Sequence, residues 1–295
     1  MPDDDSPVVV GVDGTDEAVG AARWAAAVAQ KLTAPLHIVH AKPYSGHNFS
    51  DTLAAIRAAD ITALQEAGPV VIEAAERAVR ADHPDLAVTS VQLPDPIDEA
   101  LVGLSRHARM IVLGSADVSV SAAVLVGSTT LAVASHAVCP VVAWRGDVVT
   151  PTDQPIVLGV DGDDDSRVAI GAAFELAERF GVGIVAVHGW STRRPPGEVV
   201  IPVLIDWDAV AADELKGLTE TMAPWRRLYP GVEVTCTVHR DKPSSAILRH
   251  AADAQLVIVG SRGRGVLAGA ILGSTGLNLL HHAPVPTMIC RSQGE

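Results

Sequence analysis

Val8-Val9-Val10-Gly11-Val12-Asp13-Gly14 recurs 148 residues later as Ile156-Val157-Leu158-Gly159-Val160-Asp161-Gly162. Each copy is a short aliphatic run closed by Gly-x-Asp-Gly, the pattern of a fully buried strand entering a tight turn. Further along, Met110-Ile111-Val112-Leu113-Gly114-Ser115 returns as Leu256-Val257-Ile258-Val259-Gly260-Ser261, and Gly127-Ser128 returns as Gly273-Ser274, both at an offset of 146. Order, spacing and chemistry agree across distant blocks, so the chain is an internal duplication. Between the copies, Gly146 to Pro155 is polar, contains two prolines and lacks periodicity. Two domains are therefore expected, over residues 1–147 and 156–295, with a linker over 148–155.

Within each copy, short β-branched runs alternate with Ala-rich segments. Strands are expected at Val8–Val12, Leu36–His40, Ala87–Gln92, Met110–Gly114 and Val138–Trp144, then at Ile156–Val160, Ile184–His188, Glu233–Val238, Leu256–Gly260 and Val285–Cys290. Between them lie helical segments such as Glu17–Leu32 and Ser166–Phe180, with apolar residues at three- and four-residue spacing. This alternation predicts α/β architecture: two tandem Rossmann-like domains, each a parallel sheet with right-handed crossovers and helices on both faces. Ligand crevices in such sheets open at the carboxyl ends of the strands, which directs attention to the loops after the first and fourth strands.

Hydrophobic residues make up 48% of the 295-residue chain and aromatics only 3%, so the cores must be built from Ala, Val, Ile and Leu. Net charge is −13 and divides into −9 for residues 1–150 and −4 for residues 151–295. So acidic a chain repels a phosphate backbone, which argues against nucleic acid as a partner. Cys139, Cys236 and Cys290 lack metal-ligand spacing and are expected to be reduced, buried and structural. Met1-Pro2-Asp3-Asp4-Asp5 is the electrostatic opposite of a signal peptide, and no apolar run is long enough to span a bilayer. A cytoplasmic location is expected.

After the fourth strand of the second copy comes Gly260-Ser261-Arg262-Gly263-Arg264-Gly265, and then Gly273-Ser274 opens a helical segment. Glycines let backbone N–H groups turn inward and approach an anion, and a helix N-terminus adds unsatisfied donors. Arg262 and Arg264 supply charge-assisted hydrogen bonds of roughly 1.5–3 kcal/mol each. The bland alternative is a tight glycine-rich turn into a helix with no ligand. Asp161, likewise, is placed either for ribose or base recognition or as an N-cap.

The spacing Gly260-x2-Gly263-x9-Gly273-Ser274, together with Gly159-Val160-Asp161-Gly162, resembles the ATP-binding signature of the universal stress protein family. The likeness extends over essentially the whole chain, in the tandem form. It implies a five-stranded parallel sheet per domain, of the adenine nucleotide alpha hydrolase-like type. It further implies ATP as the ligand, with or without Mg²⁺. Carried over, Gly159, Asp161 and Val187 serve the nucleoside, while Gly260, Ser261, Arg262, Gly263, Arg264, Gly265, Gly273 and Ser274 hold the phosphates. The corresponding positions of the first copy are Gly11, Asp13, Val39, Gly114, Gly127 and Ser128. The resemblance also implies a regulator in stress response or growth arrest with a protein partner, and association through the final strands, with a homodimer of tandem chains as the expected assembly.

The first copy departs from the pattern because Asp117 stands where the second glycine belongs. At about 5 Å and an effective dielectric near 20, a carboxylate there repels an anion by on the order of 3 kcal/mol. Ser115 to Ser121 contains no basic residue, so this copy is expected to bind ATP weakly or not at all. Two other classes stay open: an interaction module in which nucleotide is only structural, and a slow ATP hydrolase. No Ser or Cys nucleophile elbow accompanies His40 and His188, and neither the pair His281-His282 nor the run Asp163-Asp164-Asp165 has metal-ligand company. A catalytic residue or metal site is thus not expected.

Overall fold

The protein is described from a computed structural model, which defines residues 6–41, 68–115, 128–161, 164–190, 206–261 and 272–291. The chain divides into two compact units, Met1–Pro151 and Thr152–Glu295.

In the first unit the order along the chain is β1 (Val8–Gly11), α1 (Asp16–Leu32), β2 (Leu36–Ala41), α2 (68–82), β3 (Val88–Leu93), α3 (Ile97–Leu104), β4 (Met110–Gly114), α4 (Ser128–His136) and β5 (Val141–Trp144). The second repeats it with β6 (Ile156–Gly159), α5 (Asp164–Phe180), β7 (Ile184–Gly189), α6 (Trp207–Leu228), β8 (Val234–His239), α7 (Pro243–Ala251), β9 (Leu256–Gly260), α8 (Ser274–His282) and β10 (Thr287–Cys290). Spatial order is β3-β2-β1-β4-β5 in one unit and β8-β7-β6-β9-β10 in the other, with parallel pairing throughout each. After the third strand the chain crosses back over the sheet, and right-handed crossovers then place later helices on the opposite face. In the second unit α7 packs against α8, while α5 packs against α6, where Phe174 stacks on Trp225 at 6.0 Å between ring centroids.

The cores are aliphatic, as the composition requires. β1 and β6 are buried at every position, and α1 turns a face of Ala21, Ala22, Ala25, Ala26 and Ala29 onto the first sheet. Small side chains let helix and sheet backbones approach closely. One such approach is at Gly20, where an added Cβ would lie 2.3 Å from Cη2 of the buried Trp144 ring. α1 ends on Thr33 in the left-handed conformation (φ 56°), and α5 ends on Gly181 at φ 77°, the equivalent position. Glycine there removes the penalty that threonine accepts.

Several expected strand limits shift. β5 begins at Val141 and β10 at Thr287, later than the apolar runs suggest, because Pro140 and Pro286 stand immediately before them. A proline has no N–H for the ladder, though both carbonyls still accept, from Ile111 at 2.9 Å and Val257 at 3.0 Å. β3 and β8 each slide one residue toward the C-terminus. Cysteine burial is also corrected: Cys139 and Cys290 are buried and Cys236 is partly exposed, on a strand with a half-covered face.

Two outcomes follow. Gly20→Val forces a side chain into the Trp144 ring and should lower unfolding free energy by about 1–3 kcal/mol, measured by urea denaturation. Burial pushes the Cys139 thiol up to about 12, so only about one molecule in ten thousand is thiolate there at pH 8. Iodoacetamide on the native protein at that pH should modify Cys236 and spare Cys139, read by peptide mass spectrometry.

Candidate functional site

At the carboxyl edge of the second sheet the chain leaves β6 through Val160 and Asp161. The Val160 amide donates to the Val187 carbonyl at 3.0 Å, and the Val160 carbonyl accepts from Nδ1 of His188 at 2.6 Å. That bond fixes the proton of His188 on Nδ1 and turns Nε2 outward, where it lies 3.4 Å from Glu214 Oε2 on α6. Ser166, buried in the first turn of α5, donates its hydroxyl to Asp161 Oδ1 and accepts the Asp161 amide at 3.3 Å. Asp161 is thereby held at the head of a helix rather than left to swing.

These groups surround a cleft of about 160 Å³. β6 and β7 contribute Val160, Asp161 and His188 to it, and α6 contributes Glu214, Gly217 and Thr221. Val187, expected to serve the nucleoside, lies at the end of β7 with 1% of its surface exposed, and its carbonyl accepts the Val160 amide. The next residue, His188, faces the cleft. Gly159 has a packing duty: a Cβ on it would stand 2.5 Å from Ile247 Cδ1 on α7 and 2.8 Å from Val259 Cγ1.

The glycine loop begins at Gly260, the last residue of β9. Ser261 donates its amide to the Cys290 carbonyl at 2.7 Å, and the Gly273 amide donates to the Ser261 carbonyl at 2.7 Å. The two ends of the loop, twelve positions apart in sequence, are therefore in contact. Gly273 is the N-cap of α8 and makes no side-chain cap bond, and the first amide to bond inside the helix is Leu277 onto the Gly273 carbonyl at 3.0 Å. The amides of Ser274, Thr275 and Gly276 accordingly precede any intrahelical acceptor. Arg262, Gly263, Arg264 and Gly265 lie outside the described residues, as do Asp117, Gly127 and Gly162.

The first unit repeats the frame with different chemistry. His40 Nδ1 bonds the Val12 carbonyl at 2.8 Å, and the Val12 amide donates to Val39. Asp13 is turned onto Thr15, accepting its amide at 3.0 Å and its hydroxyl at 2.7 Å, while Thr15 caps α1. Gly11 faces Leu113, whose Cδ2 would lie 2.6 Å from a Cβ, and a Cβ on Gly114 would meet the Glu17 carbonyl at 2.7 Å. Ser128 opens α4. Sequence reading missed Arg145, which is 6% exposed and sends Nη2 to Ser115 Oγ at 3.3 Å. The repeat carries that signal: at an offset of 146, Arg145 pairs with Arg291, one residue beyond each final strand.

A family model described as the universal stress protein family matches the chain twice, over residues 6–145 and 154–291. The chain belongs to this family. A universal stress protein of Mycobacterium tuberculosis is 35% identical, with 96% of each chain covered, and one of Mycolicibacterium smegmatis is 32% identical over the same shares. Among solved structures, a universal stress protein from Archaeoglobus fulgidus superposes with a TM-score of 0.71 at 20% identity, covering 98% of this chain and 99% of that one. That likeness is one of fold. Among the described residues, no helix is long and apolar enough to cross a membrane.

Within this universal stress protein frame, Ser166 is the side chain that ties Asp161 to α5. Ser166→Ala removes both bonds and should cost about 1–2 kcal/mol in unfolding free energy, measured by chemical denaturation.

Proposed function

We propose that the second domain binds ATP and that its occupancy regulates a partner protein in the stress response. The observation that carries this reading is the bond from the Gly273 amide to the Ser261 carbonyl. It brings an uncapped helix start, Gly273-Ser274, against the end of β9, so one anion can be reached from both sides of the glycine loop. Arg262 and Arg264 fall within that loop and supply the positive charge. Asp161 and the cleft beside it take the nucleoside, and the phosphates lie toward α8, with or without Mg²⁺. Family membership and the double match to its model support the same assignment.

The first domain is the weak site. Its loop has Asp117 in place of the second glycine, and Ser115 to Ser121 contains no basic residue to match Arg262 and Arg264. The protein acts in the cytoplasm as a dimer of tandem chains, and no side chain at the cleft is assigned a catalytic role. An interaction module in which nucleotide only stabilises the fold is the competing reading, and a slow hydrolase is the third.

Isothermal titration of the full chain with ATP tests the proposal. One site per chain is expected, with Gly263→Glu weakening it at least tenfold and Asp117→Gly leaving it unchanged. Two equal sites would overturn the asymmetry, and no heat with ATP would overturn the assignment. Retention of partner binding by a folded Gly263→Glu variant would favour the interaction module.

A further inference from the structure

Two histidines outside the cleft meet at the end of β8 and the last turn of α7. His239 Nε2 and His250 Nε2 are 2.9 Å apart, their ring centroids 5.1 Å apart and their planes inclined by 47°. Thr237 Oγ1, on the same face of β8, is 3.3 Å from His239 Nε2. Both rings are partly exposed. Desolvation by burial holds the His250 imidazole below its ordinary range, with help from His239 and Arg249 and opposition from Asp253. The neutral ring is the form that ligates a metal.

The fold itself does not ask for histidines here. At the repeat offset of 146 the corresponding residues of the first unit are Leu93, ending β3, and Leu104, ending α3. The equivalent positions thus hold two leucines in one copy and two imidazoles in the other. Two exposed-edge imidazoles in place of an apolar pair gain donor atoms that converge on a point.

Distances decide what those donors can hold. An imidazole-bound Zn²⁺ sits about 2.0–2.1 Å from nitrogen, hence about 3.2 Å from the ring centre. Centroids 5.1 Å apart then subtend an angle of roughly 105° at the metal, close to tetrahedral. The two Nε2 atoms share one hydrogen bond in the free protein, so a metal replaces its proton, which moves to Nδ1 or to solvent, and opens the nitrogens from 2.9 Å to roughly 3.3 Å. Arg249, the nearest guanidinium on α7, is tied to Asp241 at 2.5 Å, which offsets its charge toward an incoming cation.

We propose that His239 and His250 form a two-imidazole site for a divalent transition metal of the Zn²⁺ class, with the Thr237 hydroxyl and solvent completing the coordination. Among the described residues no group of three His, Cys, Asp or Glu side chains is placed to hold a metal ion, so the proposal rests on two imidazoles alone and calls for weak, exchangeable binding in place of a closed structural cage. It is independent of the nucleotide reading and survives that reading's failure.

The test is titration of the full chain with zinc chloride, followed by calorimetry and by histidine ring NMR. His239→Ala and His250→Ala should each weaken the tightest zinc event at least about tenfold, and zinc should raise the Tm of the parent protein but not of either variant. The double variant His239→Leu/His250→Leu places at both positions the residues the first unit carries there, and its unfolding free energy, measured beside its zinc binding, separates loss of ligands from loss of fold. Zinc binding unchanged in these variants, zinc-induced shifts confined to other rings such as His281 and His282, or no zinc binding by the parent would each overturn the proposal.

Discussion

A parallel sheet covered on both faces has no place for polar side chains between strand and helix, and that constraint arranges everything else in this protein. β1, β4, β6 and β9 are filled with Val, Ile and Leu, and the helices that cover them present alanines. Chemistry is displaced to the strand ends, where backbone carbonyls and amides have not yet found partners. The crossing back after the third strand then parts the neighbouring loops and leaves a gap there. Asp161, His188, Ser261 and Gly273 all lie at that edge, and each is fixed by a backbone atom or a helix-capping side chain: Val160, Ser166, Cys290 and Ser261 provide the anchors.

The duplication makes the two edges a controlled comparison. Frame contacts persist, as in the bond from the second-strand histidine to the first-strand carbonyl, found for both His40 and His188. Side chains that are not needed for the frame have diverged. Asp13 is held by the cap of its own helix through Thr15, whereas Asp161 is held by Ser166 one turn further on. Arg145 is sunk against Ser115 in the first unit, in a position that a reading of the loop alone passes over.

The sequence made the architecture legible because burial on both faces leaves a strong, short-range signature: aliphatic runs of four to six residues separated by alanine-rich amphipathic stretches. Its errors have local physical causes. Pro140 and Pro286 delay the last strands, since an apolar run says nothing about which amides exist to pair. At the site, glycines and the aspartates were visible because they depend on local turns, and the contact between Ser261 and Gly273 is the natural closure of such a turn. Glu214 and Thr221 were invisible because they arrive from α6, whose face toward the cleft is set by packing of that helix and not by any motif. At the end of the second strand, alternation separates a residue buried in the sheet, Val187, from its neighbour His188 at the cleft.

The tryptophans are unevenly divided by the same packing. Trp24 and Trp144 of the first unit are 3% and 4% exposed, the latter pressed on Gly20. In the second unit Trp207 lies beneath the Arg240 guanidinium, 3.4 Å from its ring centre, with Trp190 on its flank. An indole sealed in hydrocarbon emits at short wavelength, while one under a cation is polarised by it. The five tryptophans of the chain thus fall in unlike surroundings in the two halves, so that loss of one half's packing changes the emission differently from loss of the other's.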